Sequence, residues 1–157
     1  MFGIVDVGGG TRDIFGAGVL DHLLDAGMMS DLFVGVSAGS ANGSSYLAGQ
    51  RGRNYRFYDR YAFRPQYMSA RNFVRKGSYI DLDYIYGTLS NSDGEDPFDY
   101  DAFKANPSGF IVVATDAFTG RPAYFVKEDV SKDNYGAMMT SSCVPAINKP
   151  YVFMGKP

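Results

Sequence analysis

Five residues, Gly35-Val36-Ser37-Ala38-Gly39, leave the chain around them few ways to fold. An apolar run, Leu32 to Val36, stops at Ser37, and a helix can begin at once at Ala38 and continue to about Ala48. The G-x-S-x-G pattern therefore falls between a strand and a helix, where the serine occupies a sharp turn with its Oγ held clear of the backbone. Gly35 and Gly39 belong to that elbow because strand and helix come too close to accept a side chain two residues before and two after the serine. At a helix start Ser37 also gains partial positive charge and free N–H groups, of which Ala38 N–H is expected to stabilise a developing oxyanion. The competing reading is an ordinary N-cap serine in a strand-to-helix turn.

The same alternation precedes the elbow. Phe2 to Val7 reads as a short buried strand running into Gly8-Gly9-Gly10. Asp13 suits the N-cap of a helix over Ile14 to Ala26, which gathers Phe15, Val19, Leu20, Leu23, Leu24 and Ala26 on an apolar arc opposite Asp21, His22 and Asp25. Gly27 ends it. Strand, helix, strand, helix at this spacing predicts βαβ units: an α/β domain with a mostly parallel sheet covered on both faces, and functional groups at the carboxyl ends of the strands. In the glycine loop, Gly9 and Gly10 can turn their N–H groups toward a ligand oxygen, so with Ala38 they are expected to complete an oxyanion hole. Nucleotide binding is disfavoured. A dinucleotide fingerprint starting at Gly8 needs glycine at position 13, which is Asp13, and no G-x-x-x-x-G-K-[ST] is present.

From Arg51 to about Tyr86 the text changes to tyrosines and phenylalanines among arginines with no clean alternation, which predicts short helices and loops laid over the sheet as a cap. Between Arg51 and Lys76 there are eight basic residues against one acid, Asp59, although the whole chain carries -2; one face is expected to be basic. That stretch suits peripheral contact with anionic lipid head groups; an inward-packing solvated cap is the competing view, and no nucleic acid is expected. Asn91 to Pro97 is a loop by composition, and Gly109 to Thr115 and Pro122 to Val126 read as strands joined through Asp116 to Gly120. With 157 residues, 45% of them hydrophobic, the chain is expected to be one globular domain. No run of about 18 apolar residues and no signal-peptide pattern occurs, so a cytoplasmic location is the default. The single cysteine, Cys143, reads as a small buried thiol beside Pro145. No metal-ligand spacing is present and no cofactor is implied.

A Ser-His-Asp triad needs a histidine, and the only one, His22, stands before the serine on the polar arc of the first helix, where it reads as a surface residue. Asp116 lies at a strand end but suits an Asx-type turn better than a base, and Asp6 reads as structural.

Gly8-Gly9-Gly10-Thr11-Arg12 opening a helix, followed by Gly35-Val36-Ser37-Ala38-Gly39, resembles the patatin-like phospholipase family. Ala114-Thr115-Asp116 with Thr119-Gly120, and Thr140-Ser141-Ser142-Cys143-Val144-Pro145, are similar to further segments of that family, so the resemblance covers nearly the whole chain and is weakest from Gln50 to Pro107. It implies a three-layer α/β/α fold and a Ser-Asp dyad cleaving acyl esters of membrane lipids, with Ser37 as nucleophile. Two departures stand out. Asp13 replaces a glycine usual in the family's first loop, and the D-G-[GA] motif that carries the family's aspartate does not occur before Pro157. The resemblance therefore implies that the aspartate lies beyond residue 157, that these residues are an N-terminal portion exposing apolar surface, and that alone they are inactive. The alternative is a non-catalytic acyl-lipid-binding protein.

Overall fold

The computed structural model describes residues 1–155. Strands β1 (Gly3–Asp6), β2 (Leu32–Val36) and β3 (Gly109–Thr115) run parallel, and β4 (Pro122–Val126) returns antiparallel to β3, giving one sheet in the order β1-β2-β3-β4. Helix α1 (Ile14–Asp25) joins β1 to β2, and α2 (Ala38–Leu47) leaves β2 directly at Ser37. Between α2 and β3 lie two short helices, α3 (Arg53–Arg56) and α4 (Ala70–Lys76), two π-helical stretches, Phe57–Tyr61 and Asp83–Leu89, and α5 (Tyr100–Ala105). Helix α6 (Gly136–Ser141) follows β4 and packs against β3. The α/β class, the mostly parallel sheet and the limits of β2, β3 and β4 agree with the sequence pattern; β1 is two residues shorter than expected.

The core lies on one face of the sheet. Phe33 and Phe110, register partners on β2 and β3, pack with Val112, Tyr46, Leu47, Phe103 and Met138. Phe57, Tyr61, Leu82, Ile85 and Tyr86 belong to the same cluster, so the 51–86 segment is built into the core rather than resting on it. Helix α2 is poor in intrinsic helix formers, with two glycines and three serines in ten residues. Packing explains the choice: a β-carbon on Gly43 would come within 2.2 Å of the Phe33 ring, so only glycine lets the helix lie this close to β2.

The opposite face is another matter. Val5, Val34, Ile111 and Val126 lie side by side across all four strands, outside the core cluster, with Val5 and Val126 exposed. The sequence pattern predicts a sheet covered on both faces, as parallel sheets ordinarily are, but among the described residues this valine-rich row is left outside the core. The α1 arc needs correction for a related reason. Ala17 and Leu20 are buried and Leu23 and Leu24 pack on the core, but Phe15 and Val19 are exposed beside the edge strand β1, in a groove shared with Val5 and Val7. Cys143 is also corrected: it is half-buried, its Sγ–H donates to the Lys149 carbonyl at 2.8 Å, and burial raises its pKa.

Because Phe33 is fully buried and cannot swing away, Gly43→Ala is expected to cost about 1–3 kcal/mol of stability through overpacking, read as a lower urea midpoint at unchanged slope. An unaltered midpoint would contradict the close-approach account of α2.

Candidate active site

The turn at Ser37 is strained and held from several sides. Ser37 has φ 54° and ψ -128°, a conformation costly for a residue with a β-carbon. Its N–H donates to Ser141 Oγ at 2.6 Å, and the Ser141 hydroxyl donates in turn to the Val113 carbonyl at 2.6 Å, so the end of α6 and the end of β3 grip the elbow together. The Ser37 carbonyl accepts from Ser40 N–H at 2.9 Å and from Ser40 Oγ at 2.6 Å. The Ser37 side chain makes no capping bond to α2, so the N-cap reading does not describe it. Gly35 and Gly39 are sterically demanded: a β-carbon would lie 2.5 Å from Ser40 Cα at the first and 2.4 Å from the Asp6 carbonyl oxygen at the second.

The glycine loop is packed on this elbow backbone to backbone. Gly8 has φ +69°, and a β-carbon there would lie 2.4 Å from the Val36 carbonyl oxygen and 3.1 Å from Ala38 N. Asp6 fixes the approach by accepting Gly8 N–H at 2.9 Å. Gly10 and Ala38 line the same cavity as Ser37, together with Thr11, whereas Gly9 borders the neighbouring groove beside β1.

Asp13 does not cap α1 through its side chain, although it precedes the helix, because a 3-10 turn over Gly10–Asp13 carries its carboxylate inward. There it accepts Asn42 Nδ2 at 2.8 Å, and Asn42 Oδ1 accepts the Tyr58 hydroxyl at 2.9 Å. Burial first, then the Asp6 charge and a hydrogen bond with Asp6, push the Asp13 carboxyl up to about 7. The negative charge expected beside the glycine loop is thus about half suppressed at neutrality and more fully so at lower pH.

Ser37 opens into a cavity of about 140 Å³. Its walls include Phe57, Ile85, Tyr86 and Met138, contributed by both π-helical stretches and α6, with Leu82 just before the second stretch. At the buried end Arg53 lies between the Phe57 and Phe98 rings, 4.6 and 5.7 Å from their centroids, and donates to Ser45, Ser90 and the Asp96 carbonyl. Burial lowers its pKa to about 10, so it stays charged. Burial opposes the Asp96 charge, but hydrogen bonding from Arg56 and the charges of Arg53 and Arg56 hold that carboxyl below its ordinary value. The Arg53–Asp96 pair escaped sequence reading because Asp96 sits in a loop that looks like solvent-facing turn chemistry.

Other sequence candidates lie elsewhere. His22 is exposed on α1, and Asp116 Oδ1 accepts the N–H groups of Phe118 and Thr119, closing the β3–β4 turn. Among the described residues no carboxylate is hydrogen-bonded to Ser37 Oγ. The basic stretch is less uniform than its composition suggests: Arg51 pairs with Asp25, Arg53 and Arg56 with Asp96, Arg64 with Glu95 and Lys76 with Asp81. No helix among the described residues is long and apolar enough to cross a membrane.

A family model described as patatin-like phospholipase matches residues 7–157. The chain is also similar to the uncharacterized protein YjjU of Escherichia coli, 40% identical over 83 residues that cover 52% of this chain and 23% of that protein.

The Asp13 shift has a definite sign. A carboxyl whose folded pKa lies above its unfolded value of 3.8 keeps its proton in the native state, so stability falls as pH rises from about 4 to 7 and the penalty persists above. Asp13→Asn, which cannot ionise, is expected to gain up to about 4 kcal/mol at pH 8, about 1.4 kcal/mol for each of roughly three pH units, and little at pH 4, measured by denaturant melts at both. Equal effects at the two pH values would refute the buried-proton account.

Proposed function

We propose that this chain, which belongs to the patatin-like phospholipase family, acts as a serine acyl-ester hydrolase on lipid esters, with Ser37 as the nucleophile. The observation that carries the reading is the strained elbow, which presents Ser37 to an apolar cavity large enough for part of an acyl chain. A cavity of about 150 Å³ lined by aliphatic and aromatic carbon holds a benzene-sized group, which sets the scale of what this one can bury beside the serine.

In this reading Ser37 Oγ forms a bond to the ester carbonyl carbon while its proton passes to a base. The negative oxygen that results is met by N–H groups of Ala38, Gly10 and Gly9, at the positive end of α2. The bond to the alcohol then breaks, the base returns the proton to that leaving oxygen, and water removes the acyl group from Ser37 by the same steps. The base is an aspartate contributed from outside residues 1–157, forming a Ser-Asp dyad. Asp6, Asp13 and Asp116 are occupied in holding the glycine loop, the buried network and the β3–β4 turn. Oxyanion donors are typically worth roughly 100- to 1000-fold in rate each, which gives the rigid Gly8-Gly9-Gly10 loop its purpose.

A fluorophosphonate probe separates the hydrolase from a non-catalytic acyl-binding protein. Rapid labelling of the protein that disappears in Ser37→Ala, with loss of ester cleavage, is the expected result. Labelling no faster than with free serine, while fatty acid still binds the cavity, would establish the binding protein instead.

A further inference from the structure

The mouth of the Ser37 cavity carries a helix with nothing packed on its outer side. Met68 and Ile80 both line the cavity and are bridged to each other, so residues 69–79 form an excursion standing on its rim. Most of that excursion is α4, and no residue of α4 is buried. Its inner side is tethered: Asn72 Nδ2 donates to the Pro65 and Gln66 carbonyls at 3.4 and 3.1 Å, and Lys76 pairs with Asp81. Helical spacing then fixes the outer side, because Arg71, Val74 and Arg75 at i, i+3 and i+4 are neighbours on one face. Val74 is 84% exposed and Phe63, two residues before the Pro65 carbonyl that holds the helix, is 82% exposed.

Charge distinguishes this patch from the rest of the basic stretch. Five of its eight cations have acidic partners, whereas Arg60, Arg71 and Arg75 are in no ion pair among the described residues. Each exposed apolar side chain stands near an arginine that is in no ion pair: Val74 shares a helix face with Arg71 and Arg75, and Arg60 precedes Phe63 by three residues. That arrangement suits the boundary of a bilayer, where carbon enters the acyl region and guanidinium groups meet phosphates.

We propose that α4 and the Phe63 turn dock the protein on an anionic phospholipid surface, with Phe63 and Val74 inserted, Arg60, Arg71 and Arg75 on phosphates, and the cavity mouth turned toward the bilayer. That the docked cavity then receives an acyl ester rests on the hydrolase reading; the docking does not.

Flotation with phosphatidylcholine vesicles, with and without phosphatidylglycerol, at low and high salt, tests it. The protein is expected to float only with phosphatidylglycerol and to be released by salt. Arg71→Gln with Arg75→Gln should lower the vesicle partition coefficient about thirtyfold, at roughly tenfold per 1.4 kcal/mol and about 1 kcal/mol per arginine. Phe63→Ser with Val74→Ser should also weaken it, and both pairs should leave the melting temperature and fluorophosphonate labelling unaltered. Binding that ignores phosphatidylglycerol and salt, or that survives both double substitutions, overturns the proposal. So does self-association, or capture by a protein, that these substitutions abolish while vesicles go unbound. Ser37→Ala should float as the parent does. If the parent floats but never labels, the hydrolase reading falls and the docking surface stands.

Discussion

Everything at the site depends on two stretches of backbone lying against each other with no side chain between them. The glycine loop meets the Val36–Ala38 backbone at Gly8, and the elbow meets the Asp6 backbone at Gly39. Both contacts leave less room than a methyl group requires, so the residue types are dictated by distance before any chemistry is considered. Asp6 serves both at once: its carboxylate holds Gly8 N–H, and its main chain forms the surface on which Gly39 rests. The parallel pairing of β1 and β2 brings these parts into register, since Asp6 is the strand partner of Gly35.

The elements legible in the sequence were those whose cause is local. Glycines, apolar runs and their spacing gave α1, α2 and the strands nearly residue by residue, and the elbow followed from five adjacent residues. What stayed hidden is held by distant contacts. Helices α5 and α6 have six residues each, too few for a periodic pattern to emerge, and both are stabilised by burial of Phe103 and Met138 in the common core. Asp96 was unreadable as an ion-pair centre because its arginines lie about 40 residues away in sequence. Asp13 suits a helix cap by its position, but Asn42 and Asp6, each distant in sequence or on another element, hold its side chain inward.

The segment between α2 and β3 shows how tertiary packing can replace local propensity. Its two π-helical stretches are unfavourable as isolated structure. They persist because the wider turn places Phe57, Tyr61, Ile85 and Tyr86 in the core shared with β2 and β3, and Phe57, Ile85 and Tyr86 then also shape the walls of the Ser37 cavity. Stability and cavity volume are thus set by the same side chains, so a change that enlarges the cavity there also loosens the core.

The hydrogen bond from Ser37 to Ser141 joins residues 104 positions apart. During synthesis the glycine loop, β2 and α2 all emerge from the ribosome well before α6 exists, so the turn is laid down without the hydroxyl that holds its amide. A nascent chain can therefore possess the elbow's sequence, and even its strand and helix, without the elbow's geometry. The strained turn at Ser37 is in this sense a late property of folding, acquired only when β3 and α6 have come together.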